Sequence, residues 1–126
     1  MSGPFRLPLG RRGEMVAWHF LTQRGYKILE KNYRCKLGEI DVVAEKKSRT
    51  AFVEIKTRRT WDFGRPEESV HAAKQRKLVR LAEWYLREKK KSDSLVSFDV
   101  VAVTWKESGE PEIRLIENAF EVHENR

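Results

Sequence analysis

The chain has 126 residues, of which 40% are hydrophobic and 36% are charged, and its formal net charge is +7 at pH 7. This length suits one domain with a buried core, and no apolar run approaches the ~20 residues that a membrane span needs. The single cysteine, Cys35, excludes an internal disulfide and a zinc site built from cysteines, so we expect a reducing, cytoplasmic location.

The positive charge is concentrated in the N-terminal part of the chain. Residues 1–91 contain 23 Lys and Arg against 11 Asp and Glu, whereas residues 92–126 contain 3 against 8. A basic surface attracts the phosphate backbone of nucleic acids, although charge alone fits a lysine-rich solvated surface equally well.

The first elements in chain order are an arm and a helix. Residues 1–10 hold two glycines and two prolines and no long apolar stretch, which predicts a loose arm and not a secretory signal. A helix is predicted over 11–24, because Ala17, Trp18 and Leu21 form an apolar stripe and Gly25 favours a helix end. Glu14 lies one turn before this stripe, so its carboxylate is expected to face whatever the helix packs against.

Three strands are predicted next, over 26–34, 38–45 and 50–57. The polar residues 46–49 predict a hairpin turn between the second and third strands. A loop over 60–68 leads into a second helix that ends near Lys90, with Pro66 in its first turn. The predicted buried stripe of that helix consists of Val70, Ala73, Leu78, Leu81, Ala82 and Tyr85.

Two further strands, over 94–105 and 112–117, complete the order α-β-β-β-α-β-β. The long helix between the third and fourth strands makes a crossover, which predicts that these two strands are parallel. The sequence therefore predicts an α/β fold with a mixed central sheet flanked by helices. We expect one domain over 11–120 and a C-terminal tail over 121–126.

Two acids and a lysine are predicted to meet on one face of the hairpin. Side chains alternate along a strand, so Phe52, Glu54 and Lys56 share a face, as do Glu39, Asp41 and Val43, with Ile40, Val42 and Ala44 opposite. A turn centred between Lys47 and Ser48 places Asp41 directly across from Glu54. Like charges at this separation repel unless a cation lies between them. Lys56 is one such cation, a divalent metal is the other, and Glu14 would add a third carboxylate.

The pattern of an aspartate followed by Glu-x-Lys on the adjoining strand resembles the core of restriction-endonuclease-like nucleases. The chain as a whole is most similar to one bacterial family with that expected fold, the YraN or UPF0102 family. The similarity lies in "GRRGE" at 10–14, "GEIDVVA" at 38–44, "FVEIKTR" at 52–58, "FGRPEESV" at 63–70, "KQRKL" at 74–78, "FDVVAV" at 98–103 and "NAF" at 118–120.

The resemblance implies a role for each of the converging residues. Asp41 and Glu54 are the implied ligands of Mg²⁺ or Mn²⁺, Lys56 the implied water-orienting or charge-stabilising lysine, and Glu14 an accessory catalytic acid. The alternative for this set is a cross-strand salt bridge on a solvent-facing side of the sheet.

Residues near the motif strand are predicted to contact nucleic-acid phosphates, with an ordinary solvated surface as the alternative. They are Arg58, Arg59, Arg65, Lys74, Gln75 and Lys77. Asp99, in the fourth strand, is expected to make a structural pair and not to bind a metal.

The leading hypothesis is a divalent-metal-dependent endonuclease that hydrolyses phosphodiester bonds in DNA, including branched or structured DNA. One alternative is a non-catalytic nucleic-acid-binding adaptor that keeps a nuclease-like fold. Another is a protein-interaction module that docks through the acidic segment 92–126. Cutting both strands of a duplex would favour a homodimer, although the sequence contains no visible self-complementary patch.

Overall fold

The described residues form two helices and five strands in the predicted order. A computed structural model of the chain describes residues 8–59 and 72–120, so the predicted loop over 60–68, Val70 and the tail 121–126 lie outside the described residues. The elements are α1 (Leu9–Gln23), β1 (Lys27–Cys35), β2 (Gly38–Lys46), β3 (Arg49–Arg59), α2 (Ala72–Glu88), β4 (Leu95–Trp105) and β5 (Pro111–Ile116).

The five strands form one mixed sheet in the order β1-β2-β3-β4-β5. The pair β3–β4 is parallel, and the other neighbouring pairs are antiparallel. The parallel pair confirms the predicted crossover through α2. Two adjacent strands can run in the same direction only when the chain returns to the end of the sheet at which the first strand began.

Each face of the sheet is covered by one helix. Ala17 and Leu21 of α1 pack with Val42 and Val53 in one apolar cluster. The other cluster joins α2 to the opposite face through Leu78, Leu81, Ala82, Tyr85, Val43, Phe52 and Phe98. The predicted mixed sheet flanked by helices is thus confirmed. Neither helix within the described ranges is long and apolar enough to cross a membrane.

Helix α1 begins at Leu9, two residues earlier than predicted, and it packs very closely on β3. A Cβ atom built on Gly13 would lie 2.3 Å from Oγ1 of Thr57, so only glycine fits at this crossing. The helix ends before Gly25, whose φ of 89° suits glycine. The backbone N–H of Tyr26 then donates to the carbonyl of Leu21 at 3.0 Å and closes the last turn.

The hairpin between β2 and β3 closes with a two-residue turn, as the polar residues 46–49 predicted. Lys46 pairs with Arg49, and Lys47 and Ser48 have φ values of 49° and 64°. Two consecutive positive φ values characterise the turn whose twist matches that of the flanking strands. This geometry fixes the register of β2 against β3.

Side-chain alternation in β2 is broken beside Asp41, so one prediction about faces was wrong. Ile40 was expected on the face of Val42, but it packs in the α2-side cluster together with Val43. Its partner on β1 is Tyr33, which directly follows Asn32, a residue with a φ of 52°. The left-handed Asn32 thus lies beside the point where the alternation breaks, and Tyr33 and Ile40 both pack in the α2-side cluster.

The apolar stripe of α2 differs from the prediction at its N-terminal end. Ala73 is exposed, whereas the buried residues are Leu78, Leu81, Ala82, Tyr85 and Leu86. The first turn of α2 therefore extends past the apolar cluster.

Candidate active site

Asp41 and Glu54 meet where the pairing of β2 with β3 ends. The paired register runs through Val43–Phe52 to Val42–Val53 and stops there, one residue short of the predicted pair of Asp41 with Glu54, and both acids line the same pocket. Beyond the pair Val42–Val53, a side chain takes over from the backbone as the acceptor between β2 and β3. Asp41 Oδ2 accepts a hydrogen bond from the N–H of Ile55 at 2.8 Å. The two acids therefore lie on the same side of the sheet.

Both carboxylates line an open pocket between the sheet and α2. The pocket has a volume of about 190 Å³ and is lined by Glu39, Asp41, Glu54, Lys74, Lys77, Leu78 and Leu81. This volume equals that of roughly six water molecules in the liquid, which suits a hydrated cation or a phosphate group.

Two lysines neutralise Glu54. Lys56 Nζ lies 3.2 Å from Glu54 Oε1, and Lys74 Nζ donates a hydrogen bond to the same oxygen. Glu54 is mostly buried, with 13% of its side chain exposed, whereas Lys56 and Lys74 keep 24% and 31%. The acid lies deeper than either lysine, so each ammonium group reaches it from the solvent side.

The site perturbs the proton affinity of three of these groups. Burial, followed by the charge of Glu54, raises the pKa of Asp41 to about 6, although the N–H of Ile55 opposes this rise. Burial and then Lys74 lower the pKa of Lys56. Burial disfavours the charged form of Lys74, but its bond to Glu54, its contact with Lys56 and the charges of Glu54 and Asp41 together raise its pKa. Opposing shifts of this kind are common at functional sites.

The donor set fits a magnesium or manganese ion that keeps most of its water. Mg²⁺ is commonly bound by one or two carboxylates together with waters and substrate phosphates. Asp41 and Glu54 supply two carboxylates of that kind. Within residues 8–59 and 72–120, no group of three or more His, Cys, Asp or Glu side chains is close enough together to hold a metal by itself.

Glu14, the predicted third acid, is paired elsewhere. Its Oε2 lies 3.3 Å from Arg11 NH1 on α1, the helix that covers the other face of the sheet. It does not line the pocket of Asp41 and Glu54. The described geometry thus brings Asp41, Glu54 and Lys56 together without Glu14.

The predicted phosphate-contacting residues divide into three groups. Lys74 and Lys77 line the pocket, and Gln75 lies beside them on α2. Arg58 and Arg59 end β3, opposite Thr104 and Trp105 of β4. Arg65 lies outside the described residues.

The contact of Lys74 with Glu54 was not predicted from the sequence. The helical period does indicate which side of α2 Lys74 occupies, because Lys74 precedes the buried Leu78 by four residues and so lies on the same side. Sequence spacing does not show which strand residue that side faces.

Asp99 makes the structural pair that was expected. It is 1% exposed and accepts hydrogen bonds from Tyr26 Oη at 2.8 Å and from the N–H of Asn118 at 3.0 Å. Arg49 lies 3.9 Å away. Tyr26 belongs to the α1-side cluster, so this network lies on the sheet face opposite to the pocket.

The fold and the pocket define a mixed α/β protein in which two strand carboxylates and two lysines converge beneath a basic helix. The model of the uncharacterised protein family UPF0102 matches residues 13–103. The chain is 45% identical over 113 residues to a UPF0102 protein of Caldicellulosiruptor saccharolyticus, covering 89% of this chain and 96% of that protein. It is also 45% identical over 117 residues to a UPF0102 protein of Syntrophotalea carbinolica, covering 93% and 94%. The chain therefore belongs to the UPF0102 family.

Proposed function

We propose that this protein is a divalent-metal-dependent endonuclease that hydrolyses phosphodiester bonds in DNA. The observation that carries the proposal is the convergence of Asp41 and Glu54 in one pocket, with Lys56 bonded to Glu54. The same triad of groups on adjoining strands is what the resemblance to restriction-endonuclease-like nucleases implies.

Each side chain has a role in this chemistry. A bound Mg²⁺ or Mn²⁺ would supply charge neutralisation at the phosphoryl oxygens and would lower the pKa of a bound water. Asp41 and Glu54 would hold the ion, and the Asp41 carboxylate is fixed in direction by the N–H of Ile55. Lys56 would donate a hydrogen bond to the attacking water or to a phosphoryl oxygen.

The basic side of α2 supports DNA as the substrate. Arg76, Lys77 and Arg80 are exposed on this helix, and Lys77 also lines the pocket. Cations at the rim of a pocket would hold the backbone of a strand whose scissile phosphate enters it. This arrangement supports a nucleic acid over a small neutral substrate.

The test is cleavage by the purified protein of duplex, single-stranded, forked and four-way-junction DNA with Mg²⁺ or Mn²⁺. We expect metal-dependent nicking of at least one substrate, and a loss of about 100-fold or more in Glu54→Gln, because the neutral amide is a poor ligand for a hard cation. Circular dichroism should show that this variant remains folded. Equal cleavage by Glu54→Gln would assign the activity to a contaminant and refute the proposal.

A non-catalytic nucleic-acid-binding adaptor is the second candidate. The observation that favours it is the bond from Lys74 to Glu54, because an ammonium group already occupies a carboxylate that a metal would need. An adaptor would bind DNA with strong salt dependence and with the same affinity in EDTA and in Mg²⁺. Metal-dependent cleavage lost in Glu54→Gln would exclude it.

A further inference from the structure

Glu54 Oε1 is contacted by two ammonium groups. Lys56 Nζ lies 3.2 Å from this oxygen, and Lys74 Nζ is hydrogen-bonded to it. Asp41 lines the same pocket as Glu54 and Lys74. Lys74 therefore binds one of the two carboxylates that a divalent cation in this pocket would need.

The charges of the four side chains balance. Two ammonium groups carry the same total charge as one divalent ion, and they neutralise the two carboxylates. If an ion entered with both lysines in place, the pocket would hold an excess of positive charge at short range, which is unfavourable in a partly buried site. One ammonium group must then withdraw or acquire an anion as a partner.

Lys74 is the lysine that is free to withdraw. Lys56 lies on the same strand as Glu54 and only two residues from it, so its ammonium group remains near the acid. Lys74 reaches the acid from α2, across the pocket, and its side chain is 31% exposed, the largest fraction of the three. A flexible four-carbon stem lets the strongly hydrated ammonium group move toward the pocket mouth.

We propose that Lys74 is a built-in counterion that fills the cation position of Asp41 and Glu54 until a divalent ion displaces it. Displaced Lys74 lies at the pocket mouth beside Lys77, where it binds the backbone phosphate of the incoming strand. Metal loading therefore converts a neutral pocket into one that attracts a phosphodiester. This inference rests on the proposed function, because it assigns a residue to the same metal site.

The test measures Mn²⁺ affinity by titration calorimetry, without DNA, in wild type, Lys74→Met and the matched control Lys77→Met. Lys77 lines the same pocket, but no ion pair between it and Asp41 or Glu54 is present among the described residues. We expect Lys74→Met to bind Mn²⁺ about tenfold or more tightly than wild type, because the competing charge is gone, and Lys77→Met to change the affinity by less than about threefold.

A second measurement keeps the test independent of metal binding by the wild type. In EDTA, Lys74→Met should melt at a lower temperature than wild type, since Asp41 and Glu54 lose a counterion, and added Mn²⁺ should restore the melting temperature. Lys74→Gln serves as a second neutral variant should the methionine variant fail to fold.

Each outcome of the Mn²⁺ titrations has a defined interpretation. Unchanged or weaker Mn²⁺ binding in folded Lys74→Met or Lys74→Gln, with binding in wild type, overturns the inference and leaves the nuclease proposal standing. Binding in the Lys74 variants alone supports the inference strongly. No binding in any folded variant overturns both.

Discussion

The Asp41 carboxylate accepts a hydrogen bond from the backbone N–H of Ile55 at 2.8 Å, where the regular pairing of β2 with β3 stops. One side chain therefore continues the hairpin and also faces the pocket. Its hydrogen-bonding role requires only an oxygen acceptor, whereas its proposed role in metal binding requires a negative charge.

Asp41→Asn is expected to separate these two roles. The amide oxygen still accepts the N–H of Ile55, and the charge that burial and Glu54 disfavour is removed. We expect the free energy of unfolding in EDTA at pH 7 to rise by about 1 kcal/mol, and cleavage and Mn²⁺ binding to be lost. Denaturant unfolding and calorimetry measure the two effects. A destabilised variant would contradict the described acceptor geometry.

Lys77→Ser is expected to weaken DNA binding through loss of one phosphate contact. The affinity should fall by about tenfold at low salt, and the slope of log K against log salt should become shallower by about one. Lys27→Ser is the matched control, because Lys27 is also exposed but lies on β1 near the hairpin turn, at the other end of β2 from Asp41. Equal losses of DNA affinity in the two variants would indicate that the whole basic surface attracts DNA, without a defined binding path along α2.

Removal of the buried Asp99 network is expected to reduce stability without changing metal affinity. Asp99→Ala leaves Tyr26 and the N–H of Asn118 without their acceptor and should cost about 3 kcal/mol, whereas Tyr26→Phe should cost about 1 kcal/mol. Urea unfolding checks both values. A change in the Mn²⁺ affinity of folded Tyr26→Phe would contradict the separation of this network from the pocket.

The three tyrosines predict a loss of stability in alkaline solution. Burial, followed by Glu30, raises the pKa of Tyr85 to about 12. The pKa values of Tyr26 and Tyr33 are raised as well, first by burial and then by bonds to Asp99 and Glu88. Tyrosines of the unfolded chain ionise near pH 10.

The sign of this effect follows from proton binding. Because the folded state keeps its tyrosines protonated, their contribution to stability is fully present below about pH 10 and is lost as the pH rises toward 12. We expect the unfolding free energy to fall across this interval while the near-ultraviolet absorbance of tyrosinate stays low in the folded protein. Tyrosinate absorbance that appears near pH 10 before unfolding would contradict the burial of these rings.

The order of elements and the hairpin were predictable because they follow from local chemistry. Alternating residues in β3 and in the part of β2 after Asp41, with a polar turn centred between Lys47 and Ser48, determine which side chains face each other. That is why the positions of Asp41 and Glu54 could be predicted before any coordinates were known.

The remaining features depend on contacts between distant segments. The contact of Lys74 with Glu54 spans 20 positions and two layers of the fold. Ile40 packs on the α2 side, beside Tyr33 and the left-handed Asn32 of β1, which period-two alternation does not anticipate. Glu14 was expected to point inward because of its helical phase, but Arg11, one turn earlier on the same helix, pairs with it.

The close crossing of Gly13 and Thr57 has a mechanical consequence for the pocket. A glycine inside a helix lowers helix stability by about 1 kcal/mol relative to alanine. Here it lets α1 pack directly against Thr57, the residue of β3 that follows Lys56. The pocket consequently has a floor, formed by β3 and held by α1 on its opposite face, and a wall, formed by α2, which packs on the sheet through apolar residues and reaches Glu54 through Lys74. Adjustment to a ligand would then be concentrated in the lysine side chains of that wall. A bulky residue at position 13 should instead push α1 away from β3 and impair the alignment of the floor, without touching the ligand.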